Sequence, residues 1–183
     1  MPQALNLIIR DALPDDIAGC VALDHAYETD HVWQMHMRQD DGYLTHFRSE
    51  RLPRTLEATH QPDPARLRDG LAPDRLFVAA CDRDSGELLA YLLMSRDIMR
   101  HTGHIVDFAV DRPVRRCGIG RRLMDVAAAW AREQQISRIQ ITVETTNQPA
   151  IAFVSALGYS LCGYNDRYFP NRDIALFFTQ VIR

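Results

Sequence analysis

Short apolar runs separated by turn residues dominate the second half of the chain. Residues 76–81 and 88–94 are almost entirely apolar, and the Asp-Ser-Gly triplet at residues 84–86 divides them. Apolar runs of this length between turn signals are typical of buried strands. A further apolar run predicts a strand at residues 104–110. The pattern therefore predicts a hairpin of apolar strands and a third strand after it.

The spacing of apolar positions becomes helical after residue 118. Ile119, Leu123, Val126, Ala127 and Trp130 recur at helical intervals and predict an amphipathic helix that ends near residue 135. The elements predicted after it are a strand at 138–144, a short helix at 149–157, and strands at 159–164 and 175–181. The order strand, helix, strand predicts one βαβ unit in the middle of an α+β fold.

The first third of the chain contains both helical spacing of apolar residues and the alternation of apolar and polar residues that is typical of strands. A short strand is predicted at residues 6–10, and the acidic turn that follows it predicts a helix at 14–27. Apolar and polar residues alternate over 31–52, and the Asp-Asp-Gly turn at 40–42 makes this segment a predicted hairpin.

Residues 53–74 contain four prolines. This composition predicts a loop, with a short strand at 56–59 and one helical turn at 65–71.

Composition narrows the class of protein. The 183 residues suit one domain, and 46% hydrophobic with 25% charged residues are typical of globular proteins. No window approaches the roughly 18 apolar residues of a membrane span. Residues 1–16 lack a secretory signal, so a cytoplasmic location is expected.

Charge and cysteine usage exclude further classes. The formal net charge of −3 argues against broad binding of nucleic acids. Cys20, Cys81, Cys117 and Cys162 lie far apart and are expected to be free thiols. No metal site is predicted.

The connection between the third strand and the amphipathic helix carries the most distinctive chemistry. Residues 110–122 contain two glycines and five arginines. The unpaired N–H groups of a helix N-terminus stabilise an anion by roughly 0.3 to 1 kcal/mol. Glycine lets a ligand approach the backbone, and arginine adds charge-assisted hydrogen bonds. The sequence therefore predicts a site for a phosphate-bearing ligand.

Two other phosphate-binding loops fit this segment less well. The dinucleotide fingerprint G-x-G-x-x-G would use Gly118 and Gly120, with Glu144 as the ribose-binding acid. Its third glycine is Leu123 here, and seven residues separate Val110 from Gly118. A P-loop is excluded because no Gly-Lys-Ser/Thr follows.

Arg115-x-x-Gly118-x-Gly120 resembles the coenzyme A motif R/Q-x-x-G-x-G/A of the GNAT superfamily of N-acetyltransferases. Its context is similar as well, because Phe-Ala-Val at residues 108–110 ends the preceding strand.

A second segment, residues 147–153 with Gly158 and Tyr159, resembles that family's N-x-x-A-x-x-F-Y…G-F/Y helix. Residues 164–178 are similar to the tail of streptothricin acetyltransferases within the superfamily. The resemblance is close from residue 76 to the C-terminus and looser over the first strand and helix.

The resemblance implies a fold and a division of labour. The fold is α+β, with a mixed, mostly antiparallel sheet of six or seven strands, flanking helices, and a splay between the fourth and fifth core strands. Residues 1–183 would form one N-acetyltransferase domain. Within it, residues 1–75 would be the acceptor side and 76–183 the acetyl-CoA-binding core.

The resemblance also implies which residues bind acetyl-CoA, the cosubstrate. Amides of residues 116–121 would hold the pyrophosphate, and the edge of the strand at 108–110 would pair with the pantetheine arm. Asn147 would contact the cofactor or cap the next helix, and Pro149 suits the first turn of that helix. The implied cofactor residues are Phe108, Ala109, Val110, Arg115, Arg116, Cys117, Gly118, Ile119, Gly120, Arg121, Asn147, Ala150 and Phe153.

Direct acetyl transfer in a ternary complex requires a base for the acceptor amine and a place for the developing oxyanion. Asp107 and Glu144 are the candidate bases, acting directly or through water. The alternative for each is a structural carboxylate that accepts hydrogen bonds from its neighbours.

This chain departs from the family pattern after Phe153. The tyrosine that often follows and protonates the leaving thiolate is Val154 here. Tyr164 is the candidate replacement, with Tyr159 and Tyr168 as alternatives. The thiolate could also leave without a protein donor.

The acceptor is expected to be a primary amine of a small molecule, such as an amine-bearing antibiotic or metabolite. Trp33, Met35 and Tyr168 are the candidate acceptor-binding residues. A non-catalytic coenzyme A-binding or sensing module and a protein lysine or N-terminal acetyltransferase remain the alternatives. A homodimer is possible, and no nucleic-acid or membrane partner is expected.

Overall fold

The computed structural model describes residues 6–182. Within this part of the chain strands outnumber helices, and a short 3-10 helix, Arg112–Val114, follows the sixth strand. The elements are β1 (Leu7–Asp11), α1 (Asp16–Ala22), β2 (Ala26–Gln39), β3 (Tyr43–Thr59), α2 (Pro64–Asp69), β4 (Leu76–Asp82), β5 (Leu88–Asp97), β6 (Thr102–Val110), α3 (Ile119–Glu133), β7 (Arg138–Glu144), α4 (Gln148–Ala156), β8 (Ser160–Asn165) and β9 (Ala175–Val181).

The main sheet has seven strands among the described residues, in the order β1-β4-β5-β6-β7-β9-β8. Neighbouring strands run antiparallel in the pairs β1–β4, β4–β5, β5–β6 and β8–β9, whereas β6 and β7 run parallel. A separate two-stranded sheet is the hairpin β2–β3. The predicted α+β fold with a mixed, mostly antiparallel sheet is confirmed.

The described residues fall into two compact units. The first unit comprises residues 6–25, 60–141 and 180–182, and the second comprises residues 26–59 and 142–179. The prediction of a single domain over residues 1–183 stays a prediction.

The first unit is built around β4 and β5. Both strands are almost continuously buried, as strands covered on both faces must be, and their apolar composition makes that burial favourable. The apolar stripe of α3 is buried in this unit. Its fully or nearly fully buried members are Ile119, Leu123, Met124, Ala127 and Ala131. The helical spacing read from the sequence therefore marks the correct face, although Val126 and Trp130 are only partly buried.

In the second unit, β2 and β3 form a long hairpin around the turn at 40–42. The register passes from the pair Thr29–Leu56 to the pair His31–Arg51 and so skips residues 52–55. Pro53 lies in that skipped stretch, where its missing N–H leaves no ladder bond unmade. The predicted loop at 53–74 therefore begins later than expected, because residues 53–59 belong to β3.

The helix predicted at residues 14–27 is shorter than expected and ends at Ala22. Leu23 adopts an extended ψ of 153°, and the amide of Asp24 donates to Oδ1 of Asp111 at 2.8 Å. Ala26 then begins β2. A contact with a distant residue thus ends the helix before its apolar pattern does.

None of the described helices is both long and apolar enough to cross a membrane.

Candidate active site

The glycine-arginine loop leads from β6 into α3. Arg116 and Gly118 both adopt positive φ, at 67° and 84°, and Gly118 is the N-cap of α3 in the left-handed conformation. No side chain caps this helix, since the N-cap residue is a glycine. The amides of the first turn therefore carry the partial positive charge that an anion can stabilise.

Arg115 holds the loop in place. Its Nε donates to the carbonyl oxygen of Val110 at 2.8 Å, and its Nη2 donates to the carbonyl oxygen of Asp24. Burial lowers the pKa of this guanidinium, and the nearby Asp24 carboxylate opposes that effect. Arg116 and Arg121, by contrast, have exposed side chains on the loop and the first turn of α3.

The remaining loop positions are small or buried. Cys117 is exposed, and its Sγ lies 3.7 Å from the carbonyl oxygen of Arg115. Ile119 is buried in the core at 2% exposure, while the neighbouring Gly120 is partly buried. Ile119 therefore anchors the start of α3 beneath the loop.

The C-terminal half of β6 pairs antiparallel with β5. Phe108, Ala109 and Val110 lie opposite Leu92, Tyr91 and Ala90. The parallel register with β7 covers Thr102–Ile105 and Arg138–Ile141, although both strands continue further.

The register between β5 and β6 skips Val106, which places a bulge directly before Asp107. Bulges re-aim side chains and are common beside active sites.

Asp107 is the centre of a buried polar cluster in the first unit. Tyr91 donates from its hydroxyl to Oδ1 at 2.9 Å, and Nη2 of Arg66 donates to Oδ2 at 3.2 Å. Nε2 of His60 lies 3.3 Å from Oδ1. Only 1% of the Asp107 side chain is exposed, whereas 49% of the His60 side chain is.

The partners of Asp107 control its ionisation. Burial raises the pKa of this carboxyl group, but the hydrogen bonding and charge of His60, with Tyr91 and Arg66, outweigh burial and lower the pKa. The same carboxylate and burial raise the pKa of Tyr91. At neutral pH the cluster therefore holds a carboxylate beside a neutral phenol.

His25 lies next to two members of this cluster. Its ring centroid is 6.1 Å from the ring centroids of both His60 and Tyr91. Nε2 of His25 lies 2.8 Å from the carbonyl oxygen of Cys20. With that contact, His25 is held in place beside the cluster.

Glu144 has its own partners in the second unit. The hydroxyl of Tyr27 donates to Oε2 at 3.2 Å and lies 3.5 Å from Oγ1 of Thr146. Burial, followed by the Glu144 charge, raises the pKa of Tyr27 to about 12, although the hydrogen bond with Thr146 lowers it. Tyr27 therefore remains a neutral donor to the Glu144 carboxylate.

Asn147 caps α4, since its Oδ1 accepts from the amide of Ala150 at 3.1 Å. Pro149 lies in the first turn, as predicted. Phe153 is partly buried and Val154 is fully buried. The structure thus confirms the capping role of Asn147, and its contact with a cofactor stays a prediction.

The candidate acceptor residues lie in the second unit. Nε1 of Trp33 donates to Oε1 of Gln148 at 2.7 Å, which joins β2 to the start of α4. Met35 is partly buried opposite Phe47 in the hairpin.

The two candidate tyrosines of the C-terminal region are partly exposed. The hydroxyl of Tyr164 lies 3.1 Å from Oγ1 of Thr45, and its ring packs edge-on against Phe47. Tyr168 is 52% exposed, with its ring against Phe169 and Phe177. Burial raises the pKa of Tyr159, the third alternative, so that phenol is a poor acid.

Sequence reasoning missed four residues that surround the candidate bases, namely Tyr27, His60, Arg66 and Tyr91. One signal was available, because a tyrosine in the apolar strand β5 and an aspartate in the neighbouring strand must each find a hydrogen-bond partner when buried. No local pattern pointed to His60 or Arg66, which lie in the proline-containing segment.

Comparison with known proteins is consistent with this geometry. The model of the acetyltransferase (GNAT) family matches residues 43–159. A streptothricin acetyltransferase of Streptomyces lavendulae is 28% identical over 158 residues, which cover 84% of this chain and 82% of that protein.

Two solved structures share the fold over nearly their whole length. A nourseothricin acetyltransferase superposes with a TM-score of 0.84 at 25% identity, covering 97% of this chain and 99% of that one. A Bacillus anthracis protein described as a streptothricin acetyltransferase, solved with acetyl coenzyme A, has a TM-score of 0.78 at 17% identity and the same coverage.

Proposed function

Because the chain belongs to the acetyltransferase (GNAT) family, we propose that it transfers the acetyl group of acetyl-CoA to a primary amine of a small molecule. The amine attacks the thioester directly in a ternary complex, without a covalent enzyme intermediate. The observation that carries this proposal is the α3 N-terminus behind the left-handed Gly118, which has no side-chain cap.

The loop geometry suits the pyrophosphate of acetyl-CoA. Backbone amides of residues 116–121 supply the donors, and the exposed guanidinium groups of Arg116 and Arg121 supply charge. Arg115 and Cys117 shape the loop, and Ile119 anchors it. In this proposal Phe108, Ala109 and Val110 bind the pantetheine arm, and Asn147, Ala150 and Phe153 contribute to the cofactor site.

We propose that the acceptor is an amine of the streptothricin class. The support is the streptothricin acetyltransferase at 28% identity and the likeness to the nourseothricin acetyltransferase at 25%. Trp33, Met35 and Tyr168 are the proposed acceptor-binding residues. Trp33 is well suited because its hydrogen bond to Gln148 fixes its ring.

The chemistry needs a proton acceptor, an oxyanion donor and a route for the leaving sulfur. A backbone N–H of β6 is the proposed oxyanion donor. Asp107 and Glu144 serve the proton transfer in this proposal, and Tyr164 is the proposed donor to the thiolate. Homodimer formation and a cytoplasmic location stay predictions of the sequence.

Acetyl-CoA binding is the first test. At about 100 times its dissociation constant, the cosubstrate should stabilise the folded protein by about 2.7 kcal/mol. For a chain of this length, that free energy corresponds to a rise of roughly 5 to 10 °C in Tm. A thermal-shift titration measures this rise in Tm. The control is ATP, a nucleotide that has no pantetheine arm and no thioester. An unchanged Tm with acetyl-CoA contradicts the proposal.

The rate at which coenzyme A thiol is released in the presence of different amines then identifies the class of acceptor. We expect turnover with streptothricin and nourseothricin and little with peptides that offer a lysine or a free N-terminus. Preference for the peptides would favour a protein acetyltransferase. Binding of acetyl-CoA without turnover on any amine would favour the coenzyme A-sensing alternative.

A further inference from the structure

His60 connects the buried cluster around Asp107 to solvent. Its Nε2 lies 3.3 Å from Oδ1 of Asp107, and about half of its side chain is exposed. Among the described residues, the other ring nitrogen, Nδ1, has no hydrogen-bond partner. The imidazole therefore has one nitrogen toward a buried carboxylate and one that is left for a ligand.

We propose that His60 is the catalytic base of this enzyme and that Asp107 is a positioning residue that acts through it. This inference rests on the proposed acetyl transfer and names the group that takes the proton from the acceptor amine. It assigns a role to a residue in the segment between β3 and α2, which carries no recognisable motif.

Burial makes Asp107 unsuited to take the proton itself. Its side chain is 1% exposed, so an acceptor amine has little access to either oxygen. Tyr91 and Arg66 already donate to both oxygens, one each. A carboxylate stabilised by donors in this way is a weak base, because protonation would cost those hydrogen bonds.

The same cluster suits His60 for the task. A carboxylate beside one ring nitrogen keeps the proton of neutral imidazole on that nitrogen and leaves the other as the acceptor. Nε2–H toward Asp107 therefore makes Nδ1 the basic atom. The carboxylate also stabilises the imidazolium that forms when Nδ1 is protonated.

The other groups around His60 are fixed by the fold. Arg66 of α2 and Tyr91 of β5 hold Asp107, and His25 precedes β2 with its ring centroid 6.1 Å from that of His60. Arg66 is the permanent positive charge among them. It shares the Asp107 carboxylate with His60, because Arg66 donates to Oδ2 while His60 faces Oδ1.

The proposed transfer removes two protons from the acceptor nitrogen. The acceptor ammonium gives one proton to Nδ1 of His60, and the freed lone pair forms the bond between nitrogen and the carbonyl carbon while the π pair of the carbonyl moves to oxygen. The oxyanion then re-forms the carbonyl, the bond between carbon and sulfur breaks, and sulfur leaves with the electron pair. Tyr164 donates its hydroxyl proton to that sulfur and regains one from the nitrogen, and the imidazolium proton passes to solvent. The products are the amide, coenzyme A thiol and one proton.

The test uses His60→Ala in the full chain, with acetyl-CoA and streptothricin as substrates. We expect kcat to fall by about 10² to 10⁴, the usual contribution of a general base. Wild-type kcat should level off with rising pH, whereas variant kcat should keep rising by about tenfold per pH unit as hydroxide replaces the base. Added imidazole should restore part of the lost rate. The Tm rise caused by acetyl-CoA should not change.

Two further variants separate catalysis from folding. His101→Asn removes an exposed imidazole from a turn at positive φ, which asparagine also tolerates, and should leave kcat unchanged. Asp107→Asn should lower kcat, leave KM for acetyl-CoA unchanged, and shift the pH dependence of kcat, because Nε2 loses its carboxylate.

The outcomes distinguish the two proposals. A His60→Ala variant whose kcat and pH profile match those of the wild type overturns the role of His60 alone. A His60→Ala variant whose kcat falls, is not restored by imidazole and keeps the wild-type pH profile also overturns the role of His60 alone. Failure of the wild type to acetylate any amine overturns the proposed function, and the role of His60 with it.

Discussion

Gly118 shows how a single backbone conformation can prepare a binding site. Its φ of 84° lies in the left-handed region, and a Cβ built there would meet nothing within 4 Å. A side chain at this position would therefore be strained by the backbone conformation rather than by its neighbours. As the N-cap, Gly118 directly precedes the first amides of α3, where a phosphate is expected to bind.

Gly118→Ala should weaken acetyl-CoA binding. The left-handed conformation costs an L-residue about 1 to 2 kcal/mol, so Tm should fall by a few degrees. Relief of that strain would also turn the neighbouring backbone amides away from the positions proposed to bind the phosphate. We expect an affinity loss of about tenfold, equivalent to about 1.4 kcal/mol, measured by isothermal titration calorimetry.

Gly86→Ala is the matched control. Gly86 has a φ of 76° and equally open surroundings, but it lies in the turn between β4 and β5. Both variants should lose similar stability, and only Gly118→Ala should lose affinity. Equal affinities for the two variants would argue against the loop as the phosphate site.

At the scale of elements, α1 is tied to β1 by a two-point ion pair. Nη1 and Nη2 of Arg10 donate to the two carboxylate oxygens of Asp16 at 2.6 and 2.9 Å. The amide of Leu13 donates to the same carboxylate at 2.7 Å. These bonds fix the entry into α1, where an acidic residue also interacts favourably with the helix dipole.

This ion pair predicts how stability depends on pH. The hydrogen bonds from Arg10 lower the pKa of Asp16 below its ordinary value of 3.8, so the folded state binds that proton less readily than the unfolded state. The contribution is complete above the unfolded pKa and disappears as the pH falls through the lower folded pKa. Asp16→Asn should therefore destabilise the protein by about 1 kcal/mol at pH 7.

Urea unfolding across a pH series measures the effect. Wild type and Asp16→Asn should converge in free energy of unfolding at strongly acidic pH. Asp97→Asn is the comparison, because Asp97 pairs with the exposed Arg100 and surface pairs contribute little. A difference between wild type and Asp16→Asn that persists unchanged at acidic pH would contradict the assignment.

Local patterns predicted most elements because their signals lie within the elements themselves. The apolar strands β4 and β5 and the stripe of α3 are visible in any short window. The end of α1 is different, because Asp24 is held by Asp111, 87 residues away. Similarly, residues 52–55 of β3 have no paired partner in β2, so β3 can continue past Pro53. From the sequence alone, that proline predicts the end of a strand.

At the scale of the whole molecule, the family motifs located the proposed cofactor loop, whereas the partners of the candidate bases came only from the fold. Asp107 and Arg66 are 41 residues apart in the chain, and Tyr27 and Glu144 are 117 apart. Sequence spacing carries no information on contacts of this kind. The consequence is chemical, since these partners determine which groups can take or give a proton.

Mass spectrometry of streptothricin treated with the enzyme and isotope-labelled acetyl-CoA tests the central claim most directly. The proposed function predicts that streptothricin gains one labelled acetyl group only when intact protein and acetyl-CoA are both present. Heat-denatured protein is the control. Unmodified streptothricin, under conditions where acetyl-CoA raises the Tm of the same protein, would contradict the claim.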